Sequence, residues 1–186
     1  MVKKRTLDLD KILDAAVELI NEKGLEDTTL PSLAKKLDIR SQSLYHYVRG
    51  RKEMLSLVAA REIKRLRQQL TGELVGMSGE EALLKFADLT RDFLLADNAL
   101  SAILFHLNEY STSDEISQGI QSILDLAEKL NLRQGQAISI HVVIGAVLGY
   151  VFLDRSAFFT DQDAQKARHD YHQMILRLVR PDLSEA

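Results

Sequence analysis

Apolar residues recur along this chain at the three-and-four spacing of helices, and strand-like alternation is absent. Leu9, Ile12, Leu13, Ala16 and Ile20 form the first stripe. It predicts a helix from Asp8 to Lys23 that ends at Gly24, a residue suited to the left-handed conformation past a helix end. Leu30, Leu33, Ala34 and Leu37 form a second, shorter stripe. Thr29 is placed to cap it. Pro31 falls in the first turn, where no internal N–H is needed. Asp38 then stands at a turn; glycine is easiest there, but Asp reaches positive φ more readily than most residues. Ile39, Leu44 and Val48 point into a small core, which gives a second short helix behind the turn.

The same spacing continues downstream. A fourth helix starts near Arg51 and runs to about Leu70, with Met54, Leu55 and Val58 on its packed face and a charged later part. The stretch TGELVGMSGEE, residues 71–81, holds three glycines and reads as the joint between domains. Ser78 is a cap candidate for a fifth helix carrying Leu83, Phe86, Ala87, Thr90 and Phe93, with Glu80 and Glu81 favoured in its first turn. Leu100, Ile103, Leu104 and Leu107 mark a sixth helix, and Ile116 to Leu130 a seventh. The eighth, residues 134–158, is apolar nearly all round, so it is expected to be buried on all sides. Its apolar run is shorter than the ~20 residues of a membrane span and ends at Asp154 and Arg155. A ninth helix, residues 163–177, stops before Pro181. The fold class is therefore all-α.

Composition narrows this further. The chain has 186 residues, no cysteine and a net charge of −3. No disulfide framework or thiolate chemistry is available, and a reducing cytoplasm fits. The N-terminus is basic, with Lys3, Lys4 and Arg5, but lacks the apolar run of a secretory signal. The charge is unevenly spread. Residues 1–52 carry eleven cations against eight anions, net +3, which leaves −6 for the remainder. From Lys35 to Lys52 six cations face the single anion Asp38, a balance of +5. Attraction to phosphate lies at this end. Ser41, Gln42, Ser43, Tyr45, His46 and Tyr47 point away from the small core there. Two aromatic rings and an imidazole on a short polar helix call for a partner.

These residues resemble a family. ILDAAVELINEKG, TT, LAKKLDI, SLYHYV and RKEML, within residues 9–60, are similar to the DNA-binding domain of the tetracycline-repressor (TetR) family. Three positions depart from the family's habit: Asp38 for the turn glycine, Val48 for an aromatic residue, and Arg51 for a lysine. The resemblance implies an N-terminal three-helix helix-turn-helix domain, residues 1–52, linked through the fourth helix to a helical ligand-binding and dimerisation domain, residues 53–186.

The candidate DNA contacts are Thr29, Arg40, Ser41, Gln42, Ser43, Tyr45, His46, Tyr47, Arg51 and Lys52. Gln42 pairs bidentately with adenine, and Ser43 is permissive. Arg40 and Ser41 begin the reading helix. Matching family positions of Tyr45, His46 and Tyr47 contact backbone and thymine methyl groups. Thr29, Arg51 and Lys52 stand at helix starts, where backbone N–H groups favour phosphate. The plain alternatives are core packing for Tyr45 and a solvated side chain for Lys52.

Candidates for an effector site are Phe86, Phe93, Phe105, His106, Asn108, Glu109, Tyr110, His141 and Tyr150, against the plain reading of core phenylalanines and a buried histidine at 141. In the family the last two long helices pair with their copies as a four-helix bundle. Gly145, Gly149, Phe152, Tyr171, Met174, Ile175 and Leu178 are the matching candidates here, the two glycines allowing close helix approach. His106 with Glu109, and His169 with His172, supply too few ligands for a metal, so no metal and no cofactor are assigned. No nucleophile elbow, P-loop, dinucleotide fingerprint or zinc-protease motif occurs. The combined reading is a cytoplasmic, homodimeric regulator, not an enzyme. It binds a palindromic or near-palindromic double-stranded DNA operator, acts as a repressor released by a small-molecule effector, and has no membrane partner. The alternatives are a constitutive DNA-binding regulator and a small all-helical enzyme.

Overall fold

The computed structural model describes residues 7–96, 98–106, 110, 113–130, 139–156 and 163–179. Among these the chain forms nine helices and no strand: α1 (Leu9–Lys23), α2 (Leu30–Leu37), α3 (Ser41–Leu44), α4 (Arg51–Glu73), α5 (Gly79–Ala96), α6 (Asn98–Phe105), α7 (Asp114–Leu130), α8 (Ile140–Arg155) and α9 (Ala164–Val179). The helices fall into two compact units. One comprises Met1–Ile63 with Asp97–Ser117, the other Lys64–Ala96 with Gln118–Ala186. The division between these units lies inside α4, whose first three turns bury Met54, Leu55, Val58 and Ala59. The glycine-rich stretch 71–81 instead turns α4 into α5 within the second unit.

Local chemistry explains the first unit. Asp8 caps α1, its carboxylate accepting from the Lys11 N–H at 2.9 Å. That hydrogen bond holds the Asp8 carboxyl below its ordinary range. Gly24, at φ 84°, closes α1 with its N–H on the Ile20 carbonyl at 2.8 Å. Thr29 and Ser32 form a reciprocal capping box at the start of α2. Asp38 takes the left-handed conformation, φ 55° and ψ 47°, as the turn requires. The Ile39 N–H then reaches back to the Ala34 carbonyl at 3.0 Å. α3 closes after four residues and anchors through Leu44 and, beyond it, Val48, both buried.

In the second unit α5 packs against both α8 and α9. Phe86, Ala87 and Leu94 of α5, Val143, Val147 and Val151 of α8, and Tyr171 and Ile175 of α9 are buried there. Arg155 ties the end of α8 to α5 by donating to the Leu94 and Leu95 carbonyls. The structure corrects the expectation that helix eight is buried all round. His141, Val142, Gly145, Gly149, Phe152 and Leu153 are exposed. Four-residue spacing of Val143, Val147 and Val151 gives α8 only one inward face, and the opposite face is apolar as well.

The left-handed turn yields a stability test. Asp38→Val should lower stability by ~1–2 kcal/mol, the cost of a Cβ-branched residue at positive φ, while Asp38→Gly should leave it equal or higher. Thermal denaturation of the two variants checks this.

Candidate nucleic-acid interface

α1, α2 and the first half of α4 form a scaffold from which α3 and the turn after it project. Gln42, Tyr45 and His46 are exposed, Tyr45 by 58%. Ser41 and Ser43 are half-buried, and the Arg40 side chain is exposed before them. Arg40, Gln42, Tyr45 and His46 are thus the exposed members of this segment's expected contact set, with Tyr47. Tyr47 is also exposed, but its hydroxyl donates to the Leu7 carbonyl at 2.7 Å, which fastens the segment ahead of α1 to the end of the reading turn. Thr29 is engaged in its capping box. Lys52 is exposed on the first turn of α4, beside Arg49, Gly50, Glu53 and Ser56 in a shallow cleft that Ser113 completes.

Arg51 departs from expectation. Its Nε donates to the Thr28 carbonyl at 2.8 Å and its Nη2 to the Leu25 carbonyl at 2.7 Å. The planar fork serves two backbone oxygens of the α1–α2 loop at once. Lys36 is likewise withdrawn from the basic run. Its ammonium lies 2.8 Å from Glu22 and 3.2 Å from Glu18, and these two partners, Glu22 first, raise its pKa. Lys35, Arg40, Arg49 and Lys52 are the exposed cations between residues 35 and 52.

The expected effector residues divide between the units. Phe105, His106 and Tyr110 belong to the first; Phe86, Phe93, His141 and Tyr150 belong to the second. Asn108 and Glu109 lie outside the described residues, as do Lys3, Lys4 and Arg5. His106 is exposed, with Nδ1 2.7 Å from the Ala102 carbonyl, whereas Tyr110 is buried and burial raises its phenol pKa. Phe86 is fully buried core and Phe93 is half-buried. His141 is corrected from a buried to an exposed residue.

Tyr150 stands at the polar centre of the second unit. Its hydroxyl donates to the Ala167 carbonyl at 2.6 Å, and its ring meets that of Tyr171 edge-on at 4.9 Å. The guanidinium of Arg91 sits 5.1 Å from the Tyr171 ring and 5.5 Å from the Tyr150 ring. Arg91 Nη1 donates to Asp92 at 2.9 Å, and the same carboxylate accepts from Arg168 of α9 at 2.9 Å. His172 of α9 contacts Asp88 at 3.0 Å. The buried Arg91 Nε has no hydrogen-bond partner among the described residues. Sequence reasoning missed Arg91 because it reads as a solvated charge. The available signal was its spacing, four after Ala87 and three before Leu94, on the buried stripe of α5.

Of the expected dimer residues, Gly145, Gly149 and Phe152 lie on the exposed face of α8, and Met174 and Leu178 are half-exposed on α9. Tyr171 and Ile175 are fully buried within their own unit, where the Tyr171 hydroxyl donates to the Ala87 carbonyl at 2.7 Å. Among the described residues no helix is long and apolar enough to cross a membrane, and no three acidic or histidine side chains are grouped to hold a metal ion.

A capped helix pair with a tight turn, presenting polar and aromatic side chains beside exposed cations, defines a DNA-binding helix-turn-helix regulator. Residues 12–58 match the family described as bacterial regulatory proteins, tetR family. The chain is similar to transcriptional regulators of that family. It is 27% identical over 160 residues to the HTH-type transcriptional regulator YobS of Bacillus subtilis (strain 168), covering 82% of each chain. It is 36% identical over 59 residues to the class D tetracycline repressor of Escherichia coli, which covers 32% of this chain and 27% of that one, so this likeness concerns the DNA-binding end alone. In fold it is similar to the regulator FadR of Bacillus subtilis, solved in complex with stearoyl-CoA, with a TM-score of 0.70, 15% identity, and coverage of 93% of this chain and 100% of that one.

Tyr171 supplies a pH test. Burial, the first cause, and the neighbouring Asp88 push its phenol pKa well above the ordinary value near 10. The folded state thus holds the proton more tightly than the unfolded one. The stability this represents is complete below about pH 10 and is lost progressively as pH rises above it. Tyr171→Phe should cost ~0.5–1.5 kcal/mol at neutral pH through the lost hydrogen bond, and should flatten the decline in stability above about pH 10. Denaturant titrations at a series of pH values measure both effects.

Proposed function

We propose that the chain is a homodimeric repressor, acting in the cytoplasm, that leaves its operator when a small molecule binds the helical body. The observation that carries this reading is the exposed set Arg40, Gln42, Tyr45 and His46, held on a fully packed scaffold. Gln42 is assigned to base edges in the major groove, with Ser43 beside it. Arg40, Ser41, Tyr45 and His46 frame the reading segment, and Lys52 with the first turn of α4 meets phosphate. Thr29 and Tyr47 serve by shaping the surface. Four residues of helix bury little duplex, so one copy is too weak and two half-sites, about 34–36 Å apart or more, are required.

The second copy is assigned to the exposed face of α8. Val142, Gly145, Gly149 and Phe152 repeat at three- and four-residue intervals, Val142 and Phe152 being 51% and 50% exposed. A Cβ built on either glycine meets no atom within 4 Å, so the stripe is open for a helix to approach closely. Met174 and Leu178 of α9, next to His169, Gln173 and Arg177 along a groove on that helix, extend it. An effector acts by binding one arrangement of the dimer more tightly than the other. The complex of the similarly folded FadR with stearoyl-CoA makes acyl-CoA thioesters a first class to screen. The reading assigns the chain no catalytic role.

Gln42→Ala should weaken operator binding by ~1–3 kcal/mol and leave random-duplex binding unchanged. Equal loss on both duplexes in a fluorescence-anisotropy titration would remove Gln42 from base reading. Phe152→Asp should convert a dimer to a monomer in analytical ultracentrifugation and abolish tight operator binding; a dimer that persists would put the interface elsewhere. Effector candidates are sought by thermal shift, where a ligand at about a hundred times its Kd contributes roughly 2.7 kcal/mol.

A further inference from the structure

α4 is one uninterrupted helix, Arg51–Glu73, and the boundary between the compact units falls within it. Within the first unit two arginines grip it, ten residues apart and so ~15 Å along the axis. Arg51 holds the carbonyls of Leu25 and Thr28, just past the end of α1. Arg61 Nη1 holds the Asp14 carboxylate at 2.8 Å and the Asp10 carbonyl at 3.3 Å, both in the first half of α1. Arg61 Nε also meets the fully buried Glu62 at 3.2 Å. Moving forward along α4 thus means moving backward along α1. One grip alone permits α4 to swing about it. Two grips fix both its rotation and its sliding against α1.

The grip at Arg51 reaches the reading segment directly. Thr28 is fully buried, its hydroxyl donating to the Gly24 carbonyl at 2.8 Å, and the next residue, Thr29, caps α2. The two carbonyls held by Arg51 therefore belong to the loop that launches the helix-turn-helix. Its planar fork serves both at once, a geometry lysine cannot reproduce.

We propose that Arg51 and Arg61 are positioning residues that set the operator half-site spacing the dimer accepts, without touching DNA. This rests on the reading of the chain as a dimer on two half-sites. α4 carries the link from the body to each reading segment. A fixed angle between α4 and the segment gives one preferred separation; a loosened angle gives a spread of separations.

The test is selection from a duplex pool. The half-site recovered by the wild-type protein is presented in pairs whose spacers are shortened or lengthened one base pair at a time. Wild type should concentrate on one spacing. Arg51→Ala and Arg61→Ala should recover the same half-site over several neighbouring spacings. Affinity for the best spacing should fall by about tenfold or less while the salt dependence keeps its slope. Arg51→Lys should give an intermediate spread. Asp14→Asn removes an exposed partner of Arg61 and leaves both arginines in place, so it keeps the test open if an arginine variant fails to fold; it should also broaden the spacing. Variants that keep the wild-type spacing preference would overturn the positioning role alone. A slope reduced by about 0.9 per arginine would make these residues phosphate ligands instead. A wild-type protein that selects no paired half-sites would overturn the dimeric reading along with it.

Discussion

One helix buries side chains in both compact units. Met54, Leu55, Val58, Ala59 and Ile63 of α4 belong to the first, and Leu66 and Leu70 to the second. Each backbone N–H of such a helix is bonded one turn back, so its 23 residues behave as a rod about 35 Å long rather than as a hinge. The contacts that fasten α4 within the first unit include the Arg51 and Arg61 hydrogen bonds to the α1–α2 loop and to α1.

Electrostatics is apportioned with the same restraint. Counted by sequence, the reading end is cationic on an acidic chain. Counted by geometry, the surplus is smaller, since Lys36 answers Glu18 and Glu22 while Arg51 and Arg61 hold backbone carbonyls and a carboxylate. Fewer free cations lower the sequence-independent attraction that such a surface has for phosphate. The scaffold under that surface is rigid for a plain reason: Leu44 and Val48 are buried, and both ends of α2 are closed by hydrogen bonds.

Most of this fold was legible in the sequence, because helical period, caps and turn chemistry are local. Gly24, Thr29, Pro31 and Asp38 each stand where their backbone preferences demand, and α1, α2 and α4 begin where the stripes place them. What could not be read was direction. Arg51 has the composition of a phosphate ligand, and only the nearness of the Leu25 and Thr28 carbonyls turns it inward. Tyr171 and Ile175 sit on an amphipathic helix whose apolar face fits a partner subunit or its own core equally well by pattern; packing against α5 decides. α8 misled in the opposite sense, since uniform apolarity hides which face is covered. Arg91 escaped notice because a charge between Thr90 and Asp92 looks exposed until its place on the α5 stripe is counted.

Arg91 also sets a condition on the interior of the body. A guanidinium does not discharge at any physiological pH. It is held against two tyrosine faces, largely out of water, and paired with Asp92. The second unit therefore has a fixed electrical polarity at its centre, whatever the acidity outside. The Arg91 charge is answered locally by the Asp92 carboxylate, which Arg168 also meets, so the polarity stays confined to this cluster.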